Sequence, residues 1–204
     1  MSRFKMSLSP IDPSRADGRA RELLQSVKAK YGMVANLPRV MANSPAMMST
    51  YQHAEEEFQN NSGFNRSEQE VIFLVISKEN GCDYCVAAHS IMADMKSTVP
   101  AAVTNAIRDD QPIPDAKYAV LATFTRTMVE KRGWPEEADV AAFFSAGYTE
   151  HHILSIILAI AMKTMTNYTN HVFQTPLDKV FKAREYAPFK AAASLMQFVR
   201  KVAS

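Results

Sequence analysis

Two cysteines, six glycines and one tryptophan are all that 204 residues contain of those types. Two cysteines cannot build a disulfide framework, and a chain of this length needs none. A globule of this size buries about 70% of its unfolded surface. Neither charge sign dominates: 23 basic against 21 acidic residues leave a net +2, which argues against nucleic acid as the main partner. No window approaches an 18-residue apolar run, so no membrane span is expected. The N-terminal stretch Met1–Pro10 lacks the apolar core of a signal peptide. These absences point to a reducing cytoplasm. There a close cysteine pair is catalytic or metal-binding more often than a structural staple.

What is present favours helix. Ala, Met, Leu, Lys and Glu are abundant and strand alternation is missing, so an all-α fold is expected. Ile72, Val75 and Ile76 form one helical stripe, and Phe124, Met128 and Val129 another. The twelve methionines read as core filling.

Punctuation divides the chain. Asp12-Pro13 reads as a helix start with Gly32 as its stop, and helices are expected over 37–43 and 46–60. Residues 67–78 read as a strongly apolar helix and 82–95 as the next. Pro100 opens a short one, and Pro112 and Pro114 mark a linker. Further helices are expected over 116–132, 135–146 and 149–163, the last almost wholly apolar and so central. Pro176 opens a helix to about Ala183, and an amphipathic helix runs from Pro188 to about Val202. One domain is expected: an N-terminal extension over 1–62, a cysteine-bearing core over 63–110 and C-terminal helices over 111–204. At an offset of 82 residues, Ser67-Glu68 falls opposite Thr149-Glu150, Cys85 opposite Asn167 and His89 opposite His171. That pattern suggests two related helical hairpins.

Chemistry concentrates at Gly81-Cys-Asp-Tyr-Cys-Val-Ala-Ala-His89. Cys82 and Cys85 are three apart and His89 follows four later, so on a helix all three share a face. Asn80-Gly81 breaks the preceding segment and places Cys82 in the first turn of a new helix. The positive end of the helix dipole favours a thiolate there. This is the arrangement of a dithiol redox centre. Two other readings fit the same residues. The cysteines could be inert small hydrophobes, or Cys82, Cys85 and His89 could be three zinc ligands, although no second pair completes a structural site. Glu70 also has two readings. Ser67-x-x-Glu70 has the form of a capping box, yet an antiparallel packing of the two helices would bring Glu70 to His89 as a proton acceptor. His53, His151, His152 and His171 suggest no role.

Glu70, Cys82-Asp-Tyr-Cys85 and His89 together resemble the signature of the alkylhydroperoxidase D family, within the carboxymuconolactone decarboxylase-like superfamily. Gly32-Met-Val-Ala-Asn-Leu-Pro38 and Ser44-Pro45 are similar to its peroxidase-related branch. The resemblance covers about residues 30–95. It implies an all-α multi-helix bundle and thiol-dependent reduction of hydrogen peroxide or organic hydroperoxides. It also implies a homo-oligomer, trimer or hexamer, and a lipoyl or thioredoxin-like protein as reductant. No cofactor or metal is implied. By position, Cys85 is the attacking thiol, Cys82 the resolving thiol, and His89 with Glu70 the proton relay. The founding alkylhydroperoxidases carry a further histidine where this chain has Tyr84, which leaves one relay arm open. Superfamily decarboxylases lack the cysteine pair, so a lyase is the weaker implication. A metal-binding or redox-sensing protein would use the same pair.

Overall fold

Helix is the only regular structure among the described residues, which in this computed structural model are 6–97 and 99–185. The helices are α1 (Gly18–Tyr31), α2 (Asn36–Met41), α3 (Pro45–Asn61), α4 (Arg66–Glu79) and α5 (Asp83–Met92). They continue with α6 (Ala101–Arg108), α7 (Ala116–Glu130), α8 (Glu137–Ser145) and α9 (Glu150–Phe173). A π-turn over Ala93–Ser97 follows α5, and a 3-10 turn over Lys179–Glu185 follows α9.

The centre is α4. Every residue from Val71 to Ile76 is buried, so this helix is apolar on all sides and must be surrounded. It packs against α5, α6, α7 and α9. Each such side chain contributes about 1.5–3 kcal/mol by leaving water. A second cluster (Leu23, Leu24, Val27, Met41 and Met48) holds α1, α2 and α3 together. The third is small. Cys82, Tyr84 and Cys85 lie under Leu37, Leu177 and Phe181, so the segment after α9 straps across the start of α5.

Several expected boundaries move. Asp12 does not start α1; its carboxylate accepts from the Ser14 N–H and hydroxyl and closes a separate turn. The capping box at α4 is formed by Asn65 and Glu68, each accepting the other's backbone N–H at 3.0 Å, and not by Ser67 and Glu70. Ser67 instead donates to the Ser97 carbonyl. Cys82 is the N-cap of α5 rather than a residue of its first turn. The segment after Pro176 forms only the 3-10 turn. The helix expected over 188–202 lies outside the described residues.

The largest correction concerns α9, which runs ten residues past Lys163 to Phe173. Its continuation is polar (Lys163, Thr166, Asn167, Thr169, Asn170) but contains no glycine or proline, and these side chains are buried. A helix ends at a breaker, not where its apolar run stops. The second hairpin suggested by the repeat is therefore absent. Opposite Asn80-Gly81 stand Met162-Lys163, which keep α9 straight through the turn that separates α4 from α5.

Candidate active site

The break between α4 and α5 sets the cysteines. Gly81 has φ 65°, a left-handed conformation that costs glycine little and lets the chain reverse within two residues. The Asn80 amide then donates to the Asn167 side chain at 2.8 Å, pinning the turn to α9. The Cys82 N–H bonds to the Ser77 carbonyl, and Cys85 sits one turn into α5. Both thiols are reduced, and they are 1% and 2% exposed.

Five groups surround Cys85. The Cys82 thiol donates to it, the Lys163 ammonium adds positive charge, the polar His89 ring lies near, and the Asn167 amide adds a further donor; these hold Cys85 well below the ordinary thiol range against the cost of burial. The Asn170 Nδ2 donates to Cys85 Sγ at 3.2 Å and lies 3.7 Å from Cys82 Sγ. Cys82 moves the other way, pushed up by donating to Cys85 and by burial. The pair therefore shares one proton. Cys85 is the more acidic of the two and Cys82 the less.

A polar chain runs from α4 to α9 beside this pair. Glu70 Oε2 lies 2.9 Å from His89 Nδ1, and His89 Nε2 lies 2.7 Å from Lys163 Nζ. An ammonium has only donors, so Nε2 accepts and Nδ1–H donates to Glu70. Both ring nitrogens are thus occupied. The His89 ring also lies against Phe73, with centroids 5.1 Å apart, and Lys163 sits 5.6 Å from the Phe73 centroid. Among the described residues no group of three His, Cys, Asp or Glu is arranged to hold a metal.

Glu70, Cys82, Cys85 and His89, the four residues singled out in the sequence, come together here, and Glu70 faces His89 with no part in capping. Lys163, Asn167 and Asn170 were missed. Their signal is a lysine within an otherwise apolar central helix, followed at helical spacing by two asparagines. Tyr84 is no relay member: its hydroxyl donates to Asp178 Oδ2 at 2.6 Å and accepts the Leu37 N–H, anchoring the strap. Asp178 also accepts from the Asn36 N–H at 3.1 Å. The His151 ring meets the Asn61 carbonyl, His152 completes the α9 capping box with Thr149, and His53 lines the same cavity as Cys85.

A cavity of about 950 Å³ opens onto this chemistry. Cys85, His89, Glu70 and Lys163 border it at one end, while Met41, Met48 and Phe73 contribute apolar wall. Cys82 is not on its wall. No helix among the described residues is long and apolar enough to cross a membrane.

Comparison with known proteins agrees with this architecture. The pattern of the carboxymuconolactone decarboxylase family matches residues 45–123, from α3 into α7, and so includes Glu70, Cys82, Cys85 and His89 but not Lys163. A peroxidase-related protein of the alkylhydroperoxidase AhpD core from Ralstonia eutropha JMP134 superposes with TM-score 0.73 at 20% identity, over 85% of this chain and 93% of that one. A peroxidase-related protein from Silicibacter sp. TM1040 gives 0.70 at 21%, over 89% and 97%. The debrominase Bmp8, solved with 2,3,4-tribromopyrrole, gives 0.73 at 14%, over 89% and 97%. At these identities the likeness is one of fold. No functionally curated protein matches the sequence.

Proposed function

We propose that this chain, whose residues 45–123 match the carboxymuconolactone decarboxylase family, is a thiol-dependent peroxidase working through a Cys82/Cys85 dithiol–disulfide cycle. The observation that carries this reading is a buried thiolate on a cavity wall, with a protonated thiol three residues away and a polar chain beside it. Cys85 attacks the O–O bond of a hydroperoxide. An S–O bond forms, the O–O bond breaks, and the leaving oxygen takes a proton. Cys85 is then a sulfenic acid. Cys82 attacks its sulfur, a disulfide forms and water leaves. A dithiol reductant of the lipoyl or thioredoxin-like kind returns both thiols. The proton that Cys85 lacks is held meanwhile in the Glu70–His89–Lys163 chain. An apolar-walled cavity of about 950 Å³ favours an organic hydroperoxide over hydrogen peroxide itself.

The same cavity supports a second reading. A halogenated aromatic ring would fit its apolar wall, and Cys85 would take the halogen while the ring carbon takes a proton. Cys82 would then displace halide to give the same disulfide.

Consumption of cumene hydroperoxide with dihydrolipoamide as reductant, in wild type and Cys85→Ser, tests the peroxidase reading. Turnover by the wild type that is lost in the variant is expected. Equal consumption by both proteins overturns it.

A further inference from the structure

The proposed cycle needs a proton at the moment the O–O bond breaks, and few groups at the site can give one. The Cys82 proton stays on its sulfur until the second step. The His89 Nδ1 proton points away, to Glu70. The amides of Asn167 and Asn170 donate hydrogen bonds but do not release protons. Lys163 remains. It is 3% exposed, and none of the ion pairs among the described residues includes it. Among the described residues its hydrogen-bond partner is His89 Nε2 at 2.7 Å, so the imidazole aims it. It borders the same cavity as Cys85. A buried ammonium without a carboxylate partner is costly unless another negative charge faces it. Here that charge is the Cys85 thiolate, which Lys163 stabilises.

We propose that Lys163 is the acid of this site: its ammonium protonates the oxygen that leaves when Cys85 is oxidised, and Cys85 itself recharges it. This rests on the peroxidase reading above. In the first step the hydroperoxide, the Cys85 thiolate and the Lys163 ammonium become a sulfenic acid, an alcohol and a neutral amine. In the second, the Cys82 thiol and the sulfenic acid become a disulfide and water. The dithiol reductant then supplies two electrons and two protons, leaving a thiol on each cysteine. Cys85 passes its proton to the Lys163 amine, and the thiolate–ammonium pair is restored. Glu70 and His89 hold the amine in place through all three steps, which makes them positioning residues for Lys163.

The test varies the leaving group. tert-Butyl hydroperoxide expels a strongly basic alkoxide that needs an acid, whereas peroxyacetic acid expels a carboxylate that does not. Single-turnover oxidation of the dithiol is followed with each oxidant in wild type, Lys163→Met and Lys163→Arg, with circular dichroism confirming helix content. Arginine keeps the charge but does not release a proton. Both variants are expected to lose about 10²-fold or more with the hydroperoxide and less than about tenfold with the peracid, the lesser share belonging to the thiolate. Equal losses with the two oxidants, or no loss in either variant that folds, overturn the acid role while leaving the peroxidase reading standing. A wild type inert to both oxidants overturns the peroxidase reading itself.

Discussion

The two halves of α9 obey opposite rules. From Glu150 to Met162 the helix buries Ile156, Ala159 and Met162 in the main core and leaves Leu154 and Ile157 exposed beyond need. From Lys163 to Phe173 it buries an ammonium, two carboxamides and two threonines, while Tyr168 and Val172 face solvent. Burying apolar groups contributes stability without further conditions. Burying polar ones costs about 1–3 kcal/mol each unless a partner is in place. The second half is under-satisfied even so: Asn170 Oδ1 and His171 Nε2 are buried with no hydrogen-bond partner among the described residues. A helix that accepts this cost over three turns is positioning chemistry rather than maximising packing.

Substitution in the first half should act on stability alone. Ile156 is 0% exposed, and Ile156→Ala should cost about 2–5 kcal/mol. Thermal denaturation measures it, and a shift equivalent to less than about 1 kcal/mol would remove the contrast with the second half.

At the far end of the polar chain, Glu70→Gln should do the reverse. The amide still fills the space beside His89 Nδ1 but carries no charge, and Glu68 keeps the α4 cap. Peroxide turnover should fall about 10²-fold while the melting temperature moves little. Near-normal turnover would separate Glu70 from the chemistry.

The thiol pair gives a third prediction, in pH. The native pair keeps one proton over a wide range, because Cys85 is depressed and Cys82 raised. Unfolded, both thiols titrate near about 8.5. Below that pH the unfolded chain binds more protons than the native one, so stability from Cys85 grows as pH rises and is lost as pH falls through its native value. Above it the unfolded chain binds fewer, so the contribution from Cys82 is lost as pH rises further. The stability of wild type minus that of a Cys82→Ser, Cys85→Ser double variant should peak near pH 8.5, about the unperturbed thiol value. A monotonic difference would show that the thiols do not share a proton.

The smallest effect is expected on the solvent side of the first half. Leu154 is 66% exposed, and Leu154→Ser should change stability by less than about 0.5 kcal/mol.

The contrast within α9 also explains what the sequence disclosed. Residues of the α4–α5 pair were legible because their signals are local: Cys82, Cys85 and His89 repeat at helical spacing, and Asn80-Gly81 announces the turn. Glu70 was legible as a candidate, but its role depended on which residue caps α4. Asn65 and Ser67 offer the same capping chemistry two residues apart, and only the backbone decides between them. Lys163, Asn167 and Asn170 left no such local mark. They lie 78 or more residues from Cys85 in sequence, and polar side chains past an apolar run read as the end of a buried helix. Their burial is a property of the packed molecule. The same holds for Asp178, whose partner Tyr84 sits within the cysteine motif yet serves the strap.

That strap gives the proposed cycle unequal halves. A peroxide reaches Cys85 through an open cavity, but Cys82 lies beneath Leu177 and Phe181, and the Tyr84–Asp178 bond holds that cover down. Lifting the cover breaks the Tyr84–Asp178 bond, worth about 1.5–3 kcal/mol, and the Asn36–Asp178 bond, and exposes Leu177 and Phe181, so the uncovered form is a minor one. A reductant waits for that form, whereas an oxidant does not. Oxidation is then prompt and reset is slow, and a brief pulse of peroxide leaves the disulfide as a record that outlasts it.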